Sequence, residues 1–417
     1  MREDSHTDSR IVITGAGVIS PIGAGLAEFE KTLYAGSSAF APSQLLAEAF
    51  PHPPVVAEIR DFSPQRWLGN KGIRVLDRTA RLLSVAAQMA LSGCNFHSGD
   101  VPDPAAEADP ALGLVCGTML GSVHSITSFD WSGLEDGPTL VNPMDFPNTV
   151  INSAAGQTAI KFKLGGINTT ICCGLASGLY ALQYASDFLR LGRARALLAG
   201  GVEELSEEAY TGYCKNGLLS PTSHVRPFAA SGDGTVLGEG AALLILETSA
   251  AARSREAQPW AEIVGFGCSH DAHSTRAFQP SAAGATAAIG MALDSAGIGA
   301  EQIACIVAAA SGIRPGDEME FNALKKIFSA RLSEIPVCAP KAALGEALGA
   351  SGATAALIAA LALQKQCLPP TVGIGAEDSD GLRLASRAQT IHGDCALVNA
   401  FSCDGNNAAL VLRRWIG

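Results

Sequence analysis

The 417-residue sequence predicts an α/β fold of stacked sheets and helices, and three observations carry that expectation. Apolar, β-branched segments alternate with helical ones from one end of the chain to the other. Glycine supplies 45 residues while aromatics make up only 6%, which suits backbones lying close together. Two patterns of the first half also recur in the second.

Taken in order, "RIVITGAGVIS" (10–20) reads as a strand ending in a glycine turn, and "GLAEFEKTLYAG" (25–36) as the helix that follows. "LLSVAAQMALSGCN" (82–95) is a helix leading to the strand "ALGLVCGTMLGS" (111–122). Much later "ATAAIGMALDSAGI" (285–298) leads to "QIACIVAAASGI" (302–313) in the same way: a MAL…SG helix end, then an apolar strand running into glycine. A second echo pairs "FAASGDGTVLGEGAALLILE" (228–247) with "FSCDGNNAALVLRRW" (401–415), each a glycine-rich loop feeding a buried edge strand. A pattern that occurs twice only points to duplicated half-domains packed face to face, not to a solenoid. The polar stretch "SAAARSREAQPW" places the division near 250–265, giving halves of 1–255 and 256–417.

With 47% hydrophobic and 17% charged residues, the chain has a large interior. The net charge of −11 and the lack of a basic cluster in the sequence make nucleic acid a poor candidate partner. The opening "MREDSHTDSR" lacks the apolar core of a secretion signal, and no run approaches the ~20 apolar residues of a membrane span. A cytoplasmic protein without membrane contact is expected. Eleven cysteines, from Cys94 to Cys403, form no CxxC pair and read mostly as small buried hydrophobes. "GDGTVLGEG" (232–240) fits neither phosphate-loop pattern and reads as a tight turn before a strand. "SHDAH" (269–273) offers two histidines and an aspartate without a further ligand at a suitable spacing. No metal and no cofactor are assigned.

Six ordered segments together resemble the β-ketoacyl synthases, the condensing enzymes of fatty-acid and type II polyketide synthesis. They are "RIVITGAGVISPIG" at the start, "NPMDFPNTVINSAAGQTAI" (142–160), "LLAGGVEEL" (197–205), "RPFAASGDGTVLGEGAALLILE" (226–247), "PKAALGEALGASGA" (340–353) and "NAFSCDGNNAALVL" (399–412). The resemblance implies the thiolase fold, five αβαβα layers made of two pseudo-symmetric halves. It also implies a chemistry of one cysteine and two histidines. The cysteine, activated at a helix start, holds the acyl chain as a thioester. The histidines hydrogen-bond the malonyl carbonyl and stabilise the enolate.

Matched residue by residue, this chain departs from that chemistry. Asn168 and Ile171 on the left and "RLGRARALLAGG" (190–201) on the right put the family's cysteine position on Leu175, with Cys172 and Cys173 on the strand or turn before it. The first histidine position falls on Ala309 or its neighbour Ala310, and the second on Glu346. No histidine occurs between His273 and His392. An anionic Glu346 has the wrong sign beside a developing enolate. Lys341 is retained, as a catalytic group or as a buried partner of Glu346. The family's phenylalanine gate is replaced by Cys403.

A synthase-like chain without its nucleophile resembles the chain-length factor, the KSβ subunit of type II polyketide systems. That role implies a heterodimer with an active ketosynthase, an acyl tunnel between the two, and an acyl carrier protein that docks mainly on the partner. Leu120, Met144, Asp145 and Phe146 then fall at the tunnel or the dimer interface, with Met144 or Phe146 as a floor and Asp145 favouring a polar or polyene chain. Two alternatives stand beside it. One is an acyltransferase or atypical condensing enzyme using Cys173 or Cys403, and the other a homodimeric acyl-binding protein.

Overall fold

The computed structural model describes residues 10–94, 96, 102, 106–274, 276–375 and 381–417. The polar opening segment, residues 1–9, lies outside them. The first set of elements is β1 (Ile11–Ser20), α1 (Arg78–Gly93), β2 (Leu112–Gly117), α2 (Ser153–Phe162), β3 (Asn168–Ile171), α3 (Ser177–Arg190), β4 (Ala196–Glu203) and β5 (Gly240–Thr248). The second set repeats it: β6 (Ala261–His270), α4 (Ala283–Ala296), β7 (Ile303–Val307), α5 (Arg314–Phe328), β8 (Pro336–Cys338), α6 (Ser351–Lys365), β9 (Cys395–Phe401) and β10 (Asn406–Arg414).

Strand order is β3-β2-β4-β5-β1 in the first set and β8-β7-β9-β10-β6 in the second. In both, the first three strands run parallel and the last two pair antiparallel. Helices α1 and α2 cover one outer face and α4 and α5 the other, while α3 and α6 lie between the sheets. These are the five layers and two pseudo-symmetric halves that the resemblance implies. A three-residue ladder, Ile11 to Ile263 through Ile13 to Ala261, joins β1 to β6 and makes the two sheets continuous.

Small residues set the layer spacing. A Cβ on Gly17 of β1 would lie 2.0 Å from the carbonyl oxygen of Ala86 on α1, and one on Gly267 of β6 would lie 2.0 Å from that of Ala288 on α4. Each outer helix therefore rests directly on the strand backbone, at matching places in the two halves.

The structure corrects three expectations. Strands β5 and β10 are interior, not edge, strands: β5 lies between β1 and β4, and β10 between β6 and β9. Their near-unbroken burial matches a position covered on both faces and paired on both sides. The segments 111–122 and 302–313 leave their strands early, at Gly117 and Val307. The backbone turns around one buried carboxylate in the first case and two in the second. Met119, Leu120 and Gly121 donate N–H groups to Glu203, whereas Ala309 donates to Glu320, and Ser311 and Gly312 donate to Asp317. Finally, one helical stretch, Leu348–Lys365, is long and apolar enough to span a membrane by length and composition. It contains the central helix α6, and 83% of it is buried inside the protein.

Candidate functional site

Leu175 follows β3 by four residues and precedes α3 by two, so the helix starts at Ser177 and not at the leucine itself. The Ser177 hydroxyl donates to the Gly174 carbonyl and accepts the Cys173 N–H at 2.9 Å. The Leu175 N–H points to the Ser402 hydroxyl at 3.3 Å. Its side chain is 5% exposed and packs in a cluster with Leu46, Val56, Leu205, Leu237 and Leu348. Leu120, half-buried, packs against the same cluster. No thiol stands at the position that the resemblance assigns to the family's cysteine.

Around Leu175 the fold assembles the ends of β7 and β9, the start of α5 and the turn 340–346. Leu175, Ala309 and Lys341 line two small cavities, of about 30 Å³ and about 10 Å³. A cavity of the larger size holds a water or two, since one water needs roughly 10–15 Å³ on this measure. An acyl chain does not fit.

The retained lysine is occupied. Its Nζ donates to Glu346 Oε2 at 2.6 Å, and both side chains are buried. Glu346 Oε1 accepts the Leu348 N–H at 3.0 Å and the Ser351 hydroxyl at 2.8 Å. The carboxylate is thereby tied on both oxygens, and the pair fills the place where the resemblance puts an imidazole.

Two further carboxylates belong to this site and were given no role by the sequence reading. Asp317 accepts N–H groups from Phe228, Ser311 and Gly312. Burial pushes it up to about 6 against those hydrogen bonds and the charge of Lys341. Glu320 accepts from the Ala309 N–H and from Asn399 Nδ2 at 2.8 Å, and burial pushes it up to about 7. Its second oxygen, Oε2, and the Asn399 Oδ1 have no partner. The signal available in the sequence was polar residues, "DEMEF" and Asn399, within otherwise apolar runs.

The candidate displaced thiols sit at the rim. Cys172 is exposed, while Cys173 and Cys403 are half-buried. Burial raises the pKa of all three, and nearby acidic groups or thiols add to the rise. None has the cationic or helix-terminal setting that makes a thiolate. In "SHDAH", Asp271 accepts the Gly284 N–H and Asn407 Nδ2, which makes it a loop fastener.

Met144, Asp145 and Phe146 are not brought to the Leu175 pocket. They lie on a surface with Trp131, Leu134, Leu140, Val150 and Ile151, all large apolar side chains left exposed, Leu134 at 79% and Phe146 at 58%. Asp145 accepts from the Asn142 amide at 3.0 Å. Helix Val123–Glu135 on this surface has no buried residue at all, and β3 pairs on one side only.

Two family models match the chain in succession. The N-terminal domain of β-ketoacyl synthase covers residues 8–252 and its C-terminal domain covers residues 260–375. The 3-oxoacyl-[acyl-carrier-protein] synthase 2 of Coxiella burnetii (strain RSA 493 / Nine Mile phase I) is 32% identical over 415 residues, covering 97% of this chain and 98% of the relative. Among solved structures, the ishigamide ketosynthase/chain length factor matches with a TM-score of 0.89 at 29% identity, over 97% of this chain and 99% of the other. A β-ketoacyl synthase from Burkholderia phymatum STM815 matches with a TM-score of 0.88 at 29% identity, over the same shares. By sequence, layer order and strand topology alike, this chain belongs to the β-ketoacyl synthase family.

Proposed function

We propose that this chain is a non-catalytic, chain-length-factor-like subunit that pairs with an active ketosynthase and helps to shape an acyl or polyketide tunnel. One observation carries the reading: at the positions that the resemblance assigns to the reacting groups stand a packed leucine and a closed Lys341–Glu346 pair, around a cavity of about 30 Å³. The Coxiella relative's name denotes a condensing enzyme, and the shared scaffold supports kinship with it. The reading parts from that name only at the positions that would do the chemistry. The similarity to the ishigamide ketosynthase/chain length factor fits a paired assembly. The exposed apolar surface around Phe146 fits a partner that covers it, because patches of this kind on a folded chain mark interfaces. Residues Met144, Asp145, Phe146 and Leu120 are the proposed contributors to the tunnel wall. Cytoplasmic work with a carrier-bound acyl chain is part of the same proposal.

The test is intact-mass measurement after incubation with an acyl-loaded carrier protein, for this chain alone and co-expressed with an active ketosynthase. No adduct should form on this chain, and the pair alone should make a β-keto product. A stable acyl adduct on Cys173 or Cys403 would instead favour the acyltransferase alternative. In the reconstituted pair, Met144→Ala and Phe146→Ala should shift the product lengths upward; an unchanged distribution removes the floor role.

A further inference from the structure

Residues 82–160 contain no lysine or arginine, although the chain has 29 of them. The exposed apolar side chains around Phe146 fall within that stretch, and so do four exposed carboxylates, Asp130, Glu135, Asp136 and Asp145. Among the described residues none of the four is in an ion pair. The one cationic candidate on helix Val123–Glu135 is His124, whose Nδ1 lies 3.4 Å from Glu208 of the neighbouring helix Glu207–Lys215.

Helical spacing sets how charge and apolar surface alternate. At about 100° per residue, Leu134 lies between Asp130 and Trp131 around the helix, and Glu135 follows beyond Trp131. Acid therefore borders the Trp131–Leu134 pair on both sides. Asp136 closes the C-terminal end of the same helix. Asp145 stands directly before Phe146, whose ring packs on Phe129 of the helix. The apolar face is thus edged with unpaired negative charge.

Such an edge does not suit a second copy. A two-fold pair presents the same patch from both sides, so it would bring these carboxylates together twice over. No lysine or arginine in the segment would offset them. Like charges set across an interface are strongly unfavourable, whereas opposite charges speed and orient the encounter. We propose that this face selects its partner by charge: it takes a protein whose matching apolar surface is edged with lysine and arginine, and it rejects self-pairing. The inference rests on the proposed function for there being a partner, and adds the chemistry that the partner presents.

The test uses a charge-reversed copy of the full chain, Asp130→Lys with Glu135→Lys and Asp136→Lys, as the basic-edged partner. Lysine suits the C-terminal end of a helix, and an unchanged melting temperature shows that the copy is folded. Sedimentation is followed for each protein alone and for their mixture. Low salt, about 0.05 M, lets charges act over more than ~10 Å, and about 1 M shortens that reach to ~3 Å. In low salt the mixture should associate at least tenfold more tightly than wild type alone, and high salt should erase most of the difference. The neutral variant Asp130→Asn with Glu135→Gln and Asp136→Asn should self-associate more tightly than wild type, with little salt dependence. Detectable wild-type self-association that is as tight in low salt as in high, or a mixture no tighter than wild type alone, would overturn the proposal. No acyl group or carrier enters the measurement, so its result is read apart from the adduct test of the proposed function.

Discussion

A buried ion pair holds only while both partners are present. Glu346→Ala would strand the Lys341 ammonium away from water, and a loss of about 3–5 kcal/mol is expected in urea unfolding. Replacing both partners with apolar groups, Lys341→Met with Glu346→Leu, should recover only part of it: the stranded charge is gone, but the Leu348 N–H and the Ser351 hydroxyl lose their acceptor. Glu320 gives a second residue-scale prediction. Its pKa is raised from 4.5 to about 7, so the folded state holds a proton that the unfolded chain releases. Stability from this group is full below about pH 4.5 and is lost as pH rises through about 7. Glu320→Gln keeps the one oxygen that accepts from the Ala309 N–H and Asn399 Nδ2, and puts an N–H donor in place of the unpaired Oε2. A flatter pH profile of melting temperature between those limits, and higher stability at pH 8 by about 1 kcal/mol, are expected. Asp317 and Glu203, raised to about 6 and about 7, act with the same sign, so some slope should persist. Leu175 and Glu346 could be singled out in the sequence because flanking motifs set their register. It hid Glu320 and Asn399, which are 79 positions apart and become partners only when β9 and α5 pack.

At the level of elements, the central layer depends on close approach. A Cβ on Gly178 of α3 would lie 2.7 Å from the Ala353 nitrogen of α6 and 2.9 Å from the Gly349 oxygen. Gly178→Ala should therefore push the two helices apart and cost about 1–3 kcal/mol, read from the denaturant midpoint. Alternation and apolar runs made the helices and strands legible, including α1 and α4 with their shared MAL motif. Strand ends were not legible. Residues 118–121 and 309–312 are as apolar and glycine-rich as the strands they follow, and only the carboxylates of Glu203, Glu320 and Asp317 bend them away. Edge and interior strands were confused for a related reason: burial on both faces leaves no polar alternation to tell them apart.

For the whole molecule, the exposed face around helix Val123–Glu135 sets the expected state of assembly. Trp131→Asp or Phe146→Asp should weaken association with a partner at least tenfold by analytical ultracentrifugation, while leaving the melting temperature of the chain alone within a few degrees. Phe146 packs against Phe129 with ring centroids 5.8 Å apart, so the patch is preformed. The two-half architecture could be read from internal echoes because duplicated halves keep the same spacing constraints. Which surface is left uncovered could not, since Trp131 and Leu134 look like core residues until the fold turns them outward. The ladder that stitches Ile11–Ile13 to Ala261–Ile263 has one more consequence. Parting the halves would break these backbone hydrogen bonds, which opposes any gaping to admit a longer guest. A gauge of acyl length built on this scaffold would draw its stiffness from that seam.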